Sequence, residues 1–210
     1  MKKLDLRKQY RSLYVPPAGK VLVVDVPSLQ FAMINGVIEP GKGPGESAAF
    51  RDALQALYSI SYTLKFTSKQ RARNPIDYPV MPLEALWWVS SGSYLDPMQP
   101  WKFTAMILQP DHITPHMFAE AVSAVEEKRP TPALRRLRLR RFGEGLCVQA
   151  LHVGPYADEP RTLSLMEAFA AEQGLAYRGK HHEVYLGDPM RASPEKLRTV
   201  LRHPVRRKKR

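Results

Sequence analysis

A single cysteine in 210 residues, Cys147, excludes an intramolecular disulfide. It sits in GLCVQAL, which alternates like a strand, and a free cysteine there is expected as a small buried residue. No apolar run approaches the ~20 residues that span a bilayer, and the basic opening MKKLDLRKQYRSLY is not followed by the apolar stretch of a secretory signal. The expectation is a cytoplasmic protein with no membrane partner. Catalytic signatures are also scarce. The glycine-rich EPGKGPG (39–45) lacks both the Walker lysine followed by Ser or Thr and the G-x-G-x-x-G pattern, so it is read as a turn. GxSxG is absent, which removes the usual nucleophile elbow. Six histidines invite a metal search, but Thr114-Pro115 separates His112 from His116 at a helix start, and the adjacent His181 and His182 point to opposite strand faces. Neither a metal nor another cofactor is expected.

What is present is an ordinary soluble composition, 44% hydrophobic and 25% charged, which points to a packed globule. The formal charge of +12 is concentrated in three places. These are the N-terminal Lys2, Lys3, Arg7, Lys8 and Arg11, the LRRLRLRRF segment, and the tail Arg206, Arg207, Lys208, Lys209 and Arg210. In the middle segment Leu137 and Leu139 alternate with Arg136, Arg138 and Arg140, as in an edge strand with one solvated face. The tail is read as a mobile basic arm, so any nucleic-acid contact is expected to be nonspecific and salt-sensitive.

Val21 to Val26 and Phe31 to Ile38 read as β-branched strands. From Glu46 the spacing Phe50, Leu54, Leu57, Tyr58 is that of an amphipathic helix lying on a sheet. ALWWVS and WKFTAMIL read as a strand pair joined by the turn-rich GSYLDPMQP. A second helix is expected from Thr114, an N-cap followed by Pro115 at the first helical position. Pro130 and Pro132 end it and mark a boundary. Leu137 to Phe142 and Leu146 to Val153 then read as strands, Pro160 opens a helix ending at Gly174, and HHEVYL is a strand. A short helix capped by Ser193-Pro194, carrying Leu197, Val200 and Leu201, closes the chain.

The order strand, Gly/Pro turn, amphipathic helix, strand with Glu and aromatics occurs twice. FAMINGVIEPGKGPGESAAFRDALQALY is closed by PLEALWWV, and LCVQALHVGPYADEPRTLSLMEAFAAEQGL by HHEVYLGDP. The expected fold is α+β: two pseudo-twofold-related strand-helix-strand-strand repeats, 1–129 and 130–210, with antiparallel sheets enclosing a ligand cleft.

In a strand, alternate residues share a face, so Glu183 and Tyr185 project together while His182, Val184 and Leu186 project oppositely. By the same rule Glu84 shares a face with Leu86 and Trp88. Each repeat thus offers a carboxylate beside a ring, with Trp87, Trp88, Tyr94, Trp101 and Tyr156 as nearby aromatics and His152 as a further candidate. Carboxylates beside aromatic faces suit a flat, hydrophobic or cationic ligand, because rings supply stacking and cation-π attraction and the carboxylate supplies charge.

PLEALWWVSSG, LHVGPYADEPRTL, HHEVYLGDP and PEKLRTVLRHPV, in that order, resemble the GyrI-like small-molecule-binding family over roughly Val21 to Pro204. The resemblance implies a stand-alone relative of the effector domains of multidrug-sensing transcription activators, without their DNA-reading helix-turn-helix. It implies that Glu183 is the acidic residue at the floor of the drug pocket. It further implies that the protein resembles members reported to hydrolyse cyclopropanoid DNA alkylators, in self-protection. For such a reaction Glu183 is the expected general base, Tyr185 or Tyr156 its hydrogen-bonding partner and Trp88 a stacking wall; a carboxylate desolvated by aromatic walls has a raised pKa. Ala85 stands where many relatives have Gly. A passive drug-sequestering or sensing module is the alternative, and a gyrase- or nucleic-acid-interacting basic protein a further one. The partner is expected to be a small molecule, and the chain a monomer or homodimer.

Overall fold

The computed structural model of the chain describes residues 1–90, 100–187 and 192–208. In chain order its first elements are β1 (Lys2–Lys3), α1 (Leu6–Gln9), α2 (Arg11–Tyr14), β2 (Val21–Val26), β3 (Leu29–Val37) and α3 (Ala48–Gln70). Next come β4 (Ile76–Asp77), β5 (Leu83–Trp88), β6 (Lys102–Leu108), α4 (Pro115–Lys128) and β7 (Arg138–Phe142). The last are β8 (Gly145–Val153), α5 (Glu159–Glu172), β9 (Leu175–Tyr177), β10 (His181–Tyr185) and β11 (Arg198–Arg207). The protein is α+β, and its long strands pair antiparallel.

Two compact units divide the chain. The first comprises Met1–Gln9, Leu29–Met81 and Trp87–Phe142. In it β3 runs antiparallel to β6, from Phe31 opposite Leu108 to Val37 opposite Lys102, and to β7 on its other side. The apolar face of α3 lies on β3 and β6, burying Leu57, Ile60 and Leu64 on the sheet face that carries Ile34, Ala105 and Ile107. The cap residues do what their chemistry allows: the Ser47 hydroxyl accepts from the Phe50 N–H, and the Thr114 hydroxyl accepts from the Met117 N–H in front of Pro115. In β7 the arginines are exposed while Leu139 is half-buried, as its alternation requires. Cross-strand from Phe103, Gly36 leaves room for the ring: a Cβ there would lie 2.2 Å from it.

The second unit comprises Tyr10–Ser28, Pro82–Leu86 and Gly143–Arg210. Its strands run in the order β2, β8, β11, β10, then the Leu83–Leu86 part of β5, with β9 on the far end of β11. Helix α5 packs Met166 and Ala170 against Val148, Ala150, Leu201 and Val205 on one face of this sheet. The opposite face carries Glu84, His182 and Arg202; of these Glu84 meets Tyr14 and Arg202 meets Leu13, both of α2.

Two expectations are corrected. Leu197, Val200 and Leu201 do not belong to a helix: only Pro194–Lys196 makes a 3-10 turn, and Arg198–Arg207 is a ten-residue strand with β8 on one side and β10 on the other. The run Thr199 to Arg202 is buried throughout, so both faces are covered and the period-two signal of a half-solvated strand is erased. Nor is the tail an arm from Arg206. Arg206 and Arg207 end that strand, opposite Ala176 and Leu175 of β9, and the Lys208 N–H donates to the Gly174 carbonyl.

Candidate functional site

The register of β8, β11 and β10 sets up a patch of polar side chains on the α5 face of the second unit. Thr199 lies directly between His152 of β8 and Tyr185 of β10, and Leu201 lies between Ala150 and Glu183. Directly opposed residues share a face, and so do residues two apart along a strand, so Glu183, Tyr185, His181, Thr199 and His152 all project together. The Glu183 carboxylate accepts from the Tyr185 hydroxyl at 2.5 Å through one oxygen and lies 3.1 Å from His181 Nε2 through the other. Its side chain is 15% exposed, sheltered yet reachable. The Tyr156 ring, itself exposed, meets the Tyr185 ring edge-on at 6.0 Å. His152 is held at both nitrogens: its Nε2 donates to the Pro155 carbonyl at 3.0 Å, and its Nδ1 lies 2.9 Å from the Thr162 hydroxyl.

A second carboxyl reaches this patch. Glu159, in the first turn of α5, is 8% exposed; the Thr199 hydroxyl bonds it, and its Oε1 is buried without a hydrogen-bond partner among the described residues. Burial first, and then the nearby charge of Glu183, push the Glu159 carboxyl up to about 9. The raised carboxyl pKa that a desolvated site calls for thus falls on a residue the sequence does not single out. An acidic residue beside Pro160 at a helix start reads as a solvated complement to the helix dipole. Only the tertiary fold shows that its side chain is buried.

The other face of the same strands holds a charged cluster. Glu84 is fully buried and accepts from the Tyr14 hydroxyl at 2.5 Å. His182 Nδ1 lies 2.7 Å from Glu144 Oε2, and its Nε2 lies 3.0 Å from Glu84 Oε2, off the line of a hydrogen bond. Arg202 donates to Gln149 Oε1 and the Leu13 carbonyl and stands 3.6 Å from Glu144. Burial alone would lower the His182 pKa; the Glu144 carboxylate, helped by Glu84, overrides it and raises it to about 9. Glu144 is held below the ordinary carboxylate range in turn, His182 and Arg202 outweighing its desolvation. Tyr14 is pushed well above 10 by burial and by Glu84. Two carboxylates thus face two cations, which balances the charge of a site with no water access.

The remaining sequence candidates fall elsewhere. Trp87 is buried in the first unit among Phe50, Phe103 and Trp101, with ring centroids 5.2 to 5.9 Å away. Trp88, half-buried, lines a shallow open depression with Gly36, Lys102 and Arg136. Tyr94 lies outside the described residues. His112 contacts the Ser68 hydroxyl at 2.8 Å, whereas His116 on α4 pairs with Glu120 at the surface. Among the described residues no three His, Cys, Asp or Glu side chains are grouped to hold a metal ion, and no helix is long and apolar enough to cross a membrane.

A sheet face bearing a sheltered carboxylate between hydroxyl, imidazole and aromatic groups suits a domain of the small-molecule-binding class. Residues 73–206 match the GyrI-like small molecule binding domain, and the chain belongs to that family. An uncharacterized conserved protein from Listeria innocua is similar in structure, with 35% identity, TM-score 0.87, and 97% of this chain and 100% of that one covered. A hydrolase from Listeria innocua aligns at 32% identity and TM-score 0.82 over 97% of this chain and all of its own. The EcmrR C-terminal domain, at 8% identity and TM-score 0.52 over 90% of this chain and 98% of its own, shares the fold. A search of curated proteins returns no match.

Proposed function

We propose that the protein binds a flat, hydrophobic or cationic small molecule at the Glu183 patch and hydrolyses electrophilic cyclopropanoid compounds there. The observation that carries this reading is the Glu183 carboxylate, sheltered but reachable, with one oxygen on the Tyr185 hydroxyl and the other beside His181. Full-length similarity to a Listeria innocua protein described as a hydrolase supports the enzymatic part. In the proposed reaction Glu183 takes a proton from water as the water oxygen bonds to the ring carbon. The strained C–C bond breaks, and its electron pair passes to the conjugated carbonyl oxygen, which then gains a proton. General-base assistance of this kind is worth about 10²- to 10⁴-fold. Tyr185 and Tyr156 supply aromatic surface beside the carboxylate, and the buried His152, two strands away on the same face, supports the patch from within. Two repeats, 1–129 and 130–210, remain part of this reading: β3–α3 and β8–α5 each precede a strand bearing a glutamate, Glu84 or Glu183.

The test is to incubate wild type and Glu183→Gln with a cyclopropanoid alkylator. Ring-opened product is followed by mass spectrometry and binding by tryptophan fluorescence. Wild-type turnover that falls at least 100-fold in Glu183→Gln, with binding retained, supports the base assignment. Binding without turnover in either protein refutes catalysis on this substrate class and leaves a sequestering or sensing module.

A further inference from the structure

Glu159 has no part in the reaction as written, yet it is the buried acid of the patch. Its position follows from the strand register. Thr199, which bonds it, is flanked by Tyr185 on one side and His152 on the other, so the Glu159 carboxyl stands over the same rows that carry Glu183. The groups facing it are Glu183, His181 and Tyr185 from β10, Thr199 and His203 from β11, His152 from β8, and Tyr156 ahead of α5. No Lys or Arg pairs with Glu159 among the described residues, and its Oε1 is buried without a partner. His203 stacks on Tyr177 at 4.2 Å, and burial and His181 hold it down to about 4, so it stays neutral and supplies no charge at neutral pH. Two carboxylates in a sheltered patch with no fixed cation cannot both ionise at little cost.

We propose that Glu159 and Glu183 form a carboxyl pair that shares one proton, held on Glu159, and that a cationic ligand expels it on binding. This rests on the ligand-site reading given above, but the pair itself exists without any ligand. A cation seated on the pair favours the doubly ionised form, so linkage requires that its affinity rise with pH while the proton is still held, whereas a neutral ligand of the same shape gains nothing. The patch therefore presents one negative charge to neutral molecules and two to cations. That lets a single site take both classes.

Two measurements decide it. The first is a ¹³C-carboxyl NMR titration of the ligand-free protein. One glutamate, assigned to Glu159 by its loss in Glu159→Gln, should titrate at least two pH units above 4.5, and Glu183→Gln should move it down by one unit or more. A Glu159 signal titrating near 4.5, or one unmoved in Glu183→Gln, overturns the pair. The second is calorimetry at pH 7.5 with ethidium, a planar cation, in two buffers of different ionisation enthalpy. Wild type should release close to one proton per ethidium, Glu159→Gln should bind it with release near zero, and the neutral planar acridone should release none from either. Equal release by wild type and Glu159→Gln overturns proton expulsion. Failure of wild type to bind either probe counts against the ligand-site reading, while the titration still settles the carboxyl pair.

Discussion

Replacing His182 with Gln tests the buried charge cluster, because glutamine keeps a hydrogen-bonding head of similar reach but removes the positive charge between Glu84 and Glu144. His182 is raised from an ordinary 6.5 to about 9 in the folded protein, and at about 1.4 kcal/mol per pH unit its charged form contributes roughly 3 kcal/mol. A histidine whose folded pKa is raised stabilises fully below its unfolded pKa and loses that contribution as the pH rises through the folded value. The gap in unfolding free energy between wild type and His182→Gln should therefore be about 3 kcal/mol or more at pH 6, and should narrow mainly between pH 6.5 and 9. Glu159 also releases a proton in that window, but it is present in both proteins and cancels in the difference. Urea unfolding reads the gap directly: with a slope of about 2 kcal/mol per molar, 3 kcal/mol moves the midpoint by about 1.5 M. A gap that stays constant from pH 6 to pH 9.5 would refute the account of His182 as a buried imidazolium between two carboxylates.

Tyr14→Phe removes the donor to Glu84 at 2.5 Å and leaves a fully buried carboxylate oxygen short of a partner, so it should cost about 1–3 kcal/mol in urea unfolding at pH 7. Gly36→Ala places a methyl 2.2 Å from the Phe103 ring, which is buried and itself in edge contact with Phe50 at 4.9 Å. The ring has no space to yield, and a loss of about 1–3 kcal/mol, seen as a lowered Tm, is expected.

In α3, α4 and β10 the sequence was a sufficient guide because the determinants are local. Ser47 and Thr114 cap helices with their own hydroxyls, and Phe50, Leu57 and Leu64 recur on one side of α3. Glu183 and Tyr185 share a face because a strand alternates, and that shared face lets the Tyr185 hydroxyl reach the carboxylate, where the sequence left Tyr185 and Tyr156 as alternatives. The strand at Arg198–Arg207 was not legible, since burial of both faces leaves no alternation and Ser193-Pro194 imitates a helix cap.

What the sequence alone determined, then, is the α+β character, the family and the chemical bias of HHEVY, all carried by residues near one another in the chain. What only tertiary structure decided is which long-range groups each of those residues meets. Glu144 lies 38 positions from His182, Tyr14 lies 70 from Glu84, and Leu13 lies 189 from Arg202, separations that no periodicity encodes. Burial then sets the protonation states: the same Glu that would be an exposed helix-start acid becomes, at position 159, a carboxyl raised to about 9 because folding removes its water and places it beside Glu183.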